Sequence, residues 1–157
     1  MNVKWKELLI SLFISLGAGA LAGLLTSDSM QKYATMYKPP LAPPGWVFPV
    51  VWTVLYILMG IAAYLVYVSD SDQKKTALTL YGVQLVANVL WSVIFFELDA
   101  YLLAFAWLLL LWYLIFLTLR SFYEINPTAG KLLIPYLLWV TFAGYLNLSI
   151  AIHYVRL

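Results

Sequence analysis

Gln84, Asn88, Trp91 and Phe95 recur at i, i+4, i+7 and i+11, a spacing that sets two amides, an indole and a phenyl ring on one face of a helix. The residues from Thr76 to Phe96 around them are mostly apolar. Amides are costly in hydrocarbon unless hydrogen-bonded, so this face must look into protein. Two chemistries fit it. The amides can bond across to other helices as glue, at roughly 0.6–2 kcal/mol each. They can instead be the few orienting polar groups of a mostly apolar pocket beside the indole. Pro49, Trp52, Thr53, Tyr56 and Gly60 form a second stripe, and Trp139, Ala143, Leu146 and Ile150 a third, with Asn147 at its edge. Each mixes large aromatics with small residues, which suits either ordinary packing or a pocket wall. Trp5, Trp46 and Trp107 fit interfacial belts as well as they fit packing.

What the chain lacks bounds the chemistry further. It has no cysteine and one histidine, His153, which excludes disulfides and thiolate metal sites and leaves no metal centre to expect. Its seven acidic residues, Glu7, Asp28, Asp70, Asp72, Glu97, Asp99 and Glu124, all fall at expected helix ends or in connectors. No carboxylate lies at mid-span, where a proton-driven transporter normally needs one. There is no Ser–His–Asp set, no paired catalytic carboxylates and no phosphate-binding glycine loop. No cofactor is expected. Any chemistry must come from a bound molecule, helped by aromatic side chains.

The elements that position these stripes follow from composition. Of 157 residues, 64% are hydrophobic and 10% charged, and mean hydropathy is +0.90, far from the soluble average of about a quarter charged. The net charge of +2 gives no reason to expect a nucleic-acid partner. Five stretches reach the ~20 apolar residues that a span needs: Glu7 to Leu25, Val47 to Val68, Thr76 to Phe96, Ala100 to Leu119 and Leu132 to His153. Met1 to Lys6 and the run after them resemble a signal peptide, but the run is near spanning length and no small-residue cleavage site follows, so a retained first helix is expected. The expected fold is an all-α integral membrane protein, one domain over residues 1–157, with five transmembrane helices. Polar connectors include Ser69 to Lys75, the tight Glu97-Leu98-Asp99, and Arg120 to Lys131 with Asn126-Pro127 as a breaker. Ser15, Gly19 and Gly23 on the first span permit close helix approach, within the bundle or across a dimer seam.

Lys4, Lys6, Lys74, Lys75, Arg120 and Lys131 fall on one side and Lys32, Lys38 and Arg156 on the other. This bias puts the N-terminus in the cytoplasm and the first loop and C-terminus outside. That first loop, residues 26–46, exceeds the usual ~2–8 residues between helices. Pro39, Pro40, Pro43 and Pro44 stiffen it. Tyr33, Met36, Tyr37, Leu41 and Trp46 supply apolar anchors. It is expected to be ordered, as a lid over a pocket or as a structural cover on the helix ends.

At this point the residues resemble a known family. Tyr33-Ala34, Lys38-Pro39, Pro43-Pro44, Trp46-Val47, Val51-Trp52-Thr53, Leu55-Tyr56 and Met59-Gly60 are similar to the translocator protein family, also called tryptophan-rich sensory proteins or peripheral-type benzodiazepine receptors. So are Gln84-Leu85, Asn88, Trp91, Ile94-Phe95-Phe96, and the block Pro135-Tyr136-Leu137, Trp139, Phe142-Ala143 and Leu146-Asn147. With five spans, the set resembles a bacterial member in the plasma membrane. The resemblance implies a five-helix bundle whose first loop caps a pocket. It implies binding of porphyrins such as protoporphyrin IX and of isoquinoline- or benzodiazepine-type drugs, often in a homodimer. The implied role is a membrane receptor or sensor. The alternatives are light-dependent porphyrin degradation and small-molecule transport.

Carried over by position, the resemblance implies that Trp52, Asn88, Trp91, Trp139, Ala143 and Leu146 line the pocket, with Pro43 in the lid. Joined with the stripes, the candidate ligand-binding set is Pro43, Phe48, Trp52, Tyr56, Gln84, Asn88, Trp91, Ser92, Trp139, Ala143 and Leu146. Trp52 and Trp139 are the pair that the resemblance assigns to photochemistry. Lys32 and Leu41 stand where the family usually has tryptophan. Leu148 and Ile152 stand where the animal cholesterol motif needs Tyr and Arg, so specific sterol recognition is not expected, although Leu148, Tyr154 and Arg156 fit the loose sterol pattern in a shifted register.

Overall fold

The computed structural model describes residues 2–155. Met1, at the start of the expected leader-like segment, lies outside the described residues, as does Arg156, which entered both the orientation count and the sterol pattern. The order is α1 (Trp5–Leu25), α2 (Ser29–Thr35), α3 (Val47–Tyr67), α4 (Lys74–Ser92), a π-helical turn (Val93–Glu97), α5 (Tyr101–Ile125), α6 (Pro127–Leu132) and α7 (Ile134–Val155). No strand occurs among the described residues. Five helical stretches, α1, α3, α4 with the π turn, α5, and α6 with α7, are long and apolar enough to cross a membrane. The protein is an all-α integral membrane protein. Helices suit this setting because each satisfies its own backbone polar groups without water.

Two expectations need correction. The fourth span continues to Ile125 rather than ending at Leu119. Arg120 does not stop it, because its guanidinium lies over the Phe116 ring, 6.0 Å from the centroid, within the range of a cation–π contact. The break falls at Asn126, whose backbone turns extended and whose side chain accepts from the Thr128 amide at 2.9 Å. Pro127 then opens α6 at a position that needs no amide donor. Second, Leu41 and Trp46 do not anchor residues 26–46, being 82% and 69% exposed. Tyr33 and Met36 are buried, while Tyr37 is at the margin.

The stretch 26–46 holds helix α2 and then an irregular strap. Ala42 donates to the Pro39 carbonyl, so residues 39–42 form a turn with Pro40 second and Leu41 third. Leu41 has φ +71°, the left-handed value that the third position of a type II turn requires and that glycine normally supplies. The strap is pinned to α7. The Tyr37 amide donates to the Tyr154 hydroxyl at 3.0 Å, its ring stacks on His153 at 3.9 Å, and the Tyr145 hydroxyl donates to the Pro40 carbonyl at 2.7 Å. Three strap residues span about 10 Å and the nine steps from Tyr145 to Tyr154 rise about 13–14 Å. The strap therefore runs antiparallel along the last turns of α7.

α1 and α3 pack tightly, as do α5 and α7, and α4 and α5. The α1–α3 seam depends on small residues. A Cβ at Gly60 would meet Ser15 Oγ at 2.7 Å and Leu12 Cδ2 at 2.9 Å, and a Cβ at Gly19 would meet the Tyr56 ring at 2.6 Å. The Ser11 hydroxyl closes the seam by donating to the Gly60 carbonyl at 2.6 Å. Ser15 and Gly19 are thus internal packing residues. Gly23 has open space beside it.

Candidate functional site

A cavity of about 550 Å³ lies inside the bundle, within the ~300–1,000 Å³ of typical small-molecule sites. α1 contributes Leu16, Gly19, Ala20 and Gly23, and α2 contributes Ser29, Met30 and Tyr33. Phe48, Pro49, Trp52, Thr53 and Tyr56 come from α3. Trp91, Ser92, Phe95 and Phe96 come from the end of α4 and the π turn. Trp139, Ala143, Leu146, Asn147 and Ile150 come from α7. The second and third stripes therefore face the cavity, except for Gly60, which packs on α1.

The first stripe divides. Trp91 and Phe95 are in the wall, but Gln84 and Asn88 are not. The two amides are buried in a hydrogen-bonded chain beside it. The Tyr56 hydroxyl donates to Asn88 Oδ1 at 2.7 Å, Asn88 Nδ2 donates to the Tyr136 hydroxyl at 2.8 Å, and that hydroxyl donates to Gln84 Oε1 at 2.6 Å. Of the two chemistries open in the sequence, interhelical glue is the one the amides perform. Tyr136, buried and central to this chain, stood in the sequence as part of a motif but not as a polar partner.

Aromatic rings build most of the wall. Trp52 stacks on Tyr56 at 5.6 Å and meets Tyr136 edge-on at 6.2 Å. Phe48 bridges Tyr33 at 4.9 Å and Trp139 at 5.8 Å, both edge-to-face. Trp91 stacks on Phe95 at 5.3 Å. Its indole N–H donates to Asn147 Oδ1 at 3.0 Å, and Asn147 Nδ2 donates to the Tyr101 carbonyl at 2.9 Å. Trp139 differs: its indole nitrogen is buried without a hydrogen-bond partner. A buried donor without an acceptor is unfavourable by about 1–3 kcal/mol, so an acceptor on a bound molecule would find a ready partner. Trp107, left open between belt and packing, donates to the Ala87 carbonyl at 2.8 Å and joins α5 to α4. Trp5 and Trp46 are exposed.

Above the cavity, α2 is held at two points. The Tyr33 hydroxyl donates to the Pro43 carbonyl at 2.5 Å, and burial raises its pKa above the ordinary tyrosine value. Pro43 itself does not line the cavity. Lys32 Nζ donates to the Phe96 carbonyl at the end of the π turn, 3.4 Å from Asp99 and 3.9 Å from Asp28. The α1 and α2 walls and Phe96 were not in the expected site. The small residues of α1 carried a signal, since a helix that presents glycines inward leaves room as well as close contact.

Five apolar spans, four of which surround an aromatic cavity with no charged residue on its described wall, define a helical membrane protein with an apolar internal cavity. Comparison with known proteins gives the family. Residues 10–153 match the TspO/MBR family. The chain is 37% identical over 155 residues to the "Tryptophan-rich protein TspO" of Chlorobaculum tepidum, covering 96% of this chain and 97% of that one. It is 36% identical to the "Tryptophan-rich sensory protein" of Cereibacter sphaeroides, covering 94% and 90%. It is 35% identical to the "Translocator protein" of Homo sapiens, covering 85% and 80%. The chain belongs to the TspO/MBR family. That membership supports a sensory or receptor role and a small-molecule ligand in a membrane setting.

Proposed function

We propose that this protein is a membrane receptor or sensor for tetrapyrroles, with protoporphyrin IX as the type ligand, and that isoquinoline- and benzodiazepine-type molecules enter the same cavity. The observation that carries the reading is the convergence of Trp52, Trp91 and Trp139 with Phe48 and Tyr56 on one apolar cavity. A porphyrin is flat, aromatic and apolar, and each ring that stacks on it gains roughly 0.5–1.5 kcal/mol beyond area burial. The free Trp139 N–H offers a donor to a carboxylate, carbonyl or ring nitrogen. Pro43 contributes from outside the wall, through the carbonyl that holds Tyr33 and with it α2. Gln84 and Asn88 contribute by fixing Tyr56 and Tyr136.

A second reading rests on Trp52 and Trp139 both lining this cavity. A photoexcited porphyrin between two oxidisable indoles could be degraded in light, with dissolved oxygen as oxidant. The protein is also proposed to sit in a bacterial plasma membrane with its N-terminus in the cytoplasm and the strap outside, on the Lys and Arg bias.

The test is titration of purified protein with protoporphyrin IX, following tryptophan fluorescence in the dark and then absorbance under illumination. Saturable quenching is expected. Conversion in light that disappears in Trp52→Phe/Trp139→Phe favours degradation; quenching without conversion leaves a receptor. Absence of saturable binding overturns both.

A further inference from the structure

Trp139 has a second neighbour besides the cavity. On the other side of the α3–α7 boundary lies an open groove lined by Val50, Val54, Leu58, Pro135, Leu138 and Phe142, with Trp139 lining it as well. Val54 and Leu138 are 51% and 63% exposed, on helices long and apolar enough to cross the membrane, so the groove opens toward lipid acyl chains. Trp139 is the residue common to the two spaces.

The wall between them is thin for a reason visible in the helices. α3 packs closely along α1, and α7 along α5, whereas α3 and α7 scarcely approach one another. Their boundary is closed by side chains: Trp139 with its edge-on partner Phe48 at 5.8 Å, and Trp52 with Tyr136 at 6.2 Å. A backbone seam cannot part without breaking extended packing, but an indole needs only a rotamer change, a local motion faster than domain rearrangement. The Trp139 ring has no hydrogen bond to break when it turns, because its N–H has no partner. Trp91 is tied to Asn147, and Trp107 to Ala87.

We propose that the α3–α7 boundary is a lateral portal and Trp139 its leaf, through which flat amphiphiles dissolved in the bilayer pass between the acyl-chain region and the cavity. This rests on the reading of the cavity as a ligand site and goes beyond it by assigning the route. The route suits the ligand class, since a porphyrin partitions into lipid. It also spares α2 and the strap, with their contacts to α7 and the π turn, from opening at each exchange.

The chain has no cysteine, so a removable staple tests the portal. Val54→Cys/Leu138→Cys, both in the groove and outside the cavity wall, is reconstituted in lipid nanodiscs and bridged with a flexible bis-methanethiosulfonate. Folding is checked by circular dichroism before and after. Protoporphyrin IX exchange is then followed by stopped-flow of the porphyrin absorbance. In a parallel arm, tryptophan quenching by doxyl-stearate in the bilayer needs no porphyrin at all. The proposal expects association and dissociation both to slow at least tenfold with the dissociation constant unchanged, doxyl quenching to fall, and reductant to reverse both. Unchanged rates in the stapled protein overturn it. If the unstapled protein binds no porphyrin, the porphyrin reading fails, and the quenching arm alone decides: a fall on stapling supports the portal, and no change overturns it.

Discussion

Gly19 shows how a missing side chain shapes this cavity. A methyl group there would stand 2.6 Å from Tyr56 Cε2 and 2.7 Å from Cδ2, too close for any real contact. In Gly19→Ala the Tyr56 ring must swing away from α1. Its hydroxyl is tethered to Asn88, so the ring is driven toward Trp52 and the cavity. Overpacking of this kind is unfavourable by about 1–3 kcal/mol. We expect protoporphyrin IX affinity, measured by fluorescence titration, to fall at least tenfold. Asn88→Leu makes the opposite prediction. It orphans the Tyr56 hydroxyl and strips the Tyr136 hydroxyl of one of its two hydrogen bonds, so the melting temperature in detergent should drop, with a loss of about 1–3 kcal/mol. Porphyrin affinity should change less than threefold, because Asn88 is behind the wall. A direct ligand contact would reverse that pattern.

The amides also show what a sequence can and cannot disclose. Their spacing placed them on an inward face, which was correct, but an inward face serves a cavity and a helix seam equally. Only the position of Tyr136, 48 residues from Asn88 and 52 from Gln84, decides between the two. Trp52, Trp91 and Trp139 were legible because large aromatics and small residues share their stripes. Gly19 was legible as a contact and not as a space, since one glycine here does both.

At the scale of elements, the five spans were readable from apolar length, and their ends were not. Arg120 looked like a boundary and is instead accommodated over Phe116. The seven-residue α2 was hidden in a proline-dense connector because a helix so short draws its stability from tertiary contacts rather than its own sequence. Those contacts are Tyr33 to Pro43 and Lys32 to the π turn. Lys32→Ala removes the second one, including the interaction with Asp99. Amide hydrogen exchange in residues 29–35 should accelerate by about tenfold, consistent with the ~1.5–3 kcal/mol of a charged hydrogen bond reduced by its partial exposure. Exchange in α7 should be unaffected. Uniform acceleration across both would mean that Lys32 supports the whole fold rather than this latch.

At the scale of the molecule, the orientation can be read with single cysteines in this cysteine-free chain. Asp72→Cys should react with a membrane-impermeant maleimide only from the cytoplasmic face, and Lys38→Cys only from outside, in intact cells against inverted vesicles. The reverse result would invert the arrangement and place the strap in the cytoplasm.

The strap's attachment also has a consequence for biogenesis. Tyr37 and Pro40 meet partners 117 and 105 residues further along the chain. Contacts so distant in sequence form late, after the loops between them have closed. During synthesis α1 and α3 are made and can pair while α7 is still within the ribosome. Until α7 arrives there is no Trp139, no seat for the strap and no fourth wall. A ribosome stalled before residue 139 therefore carries a nascent chain with every earlier span made and no closed cavity for a ligand to occupy.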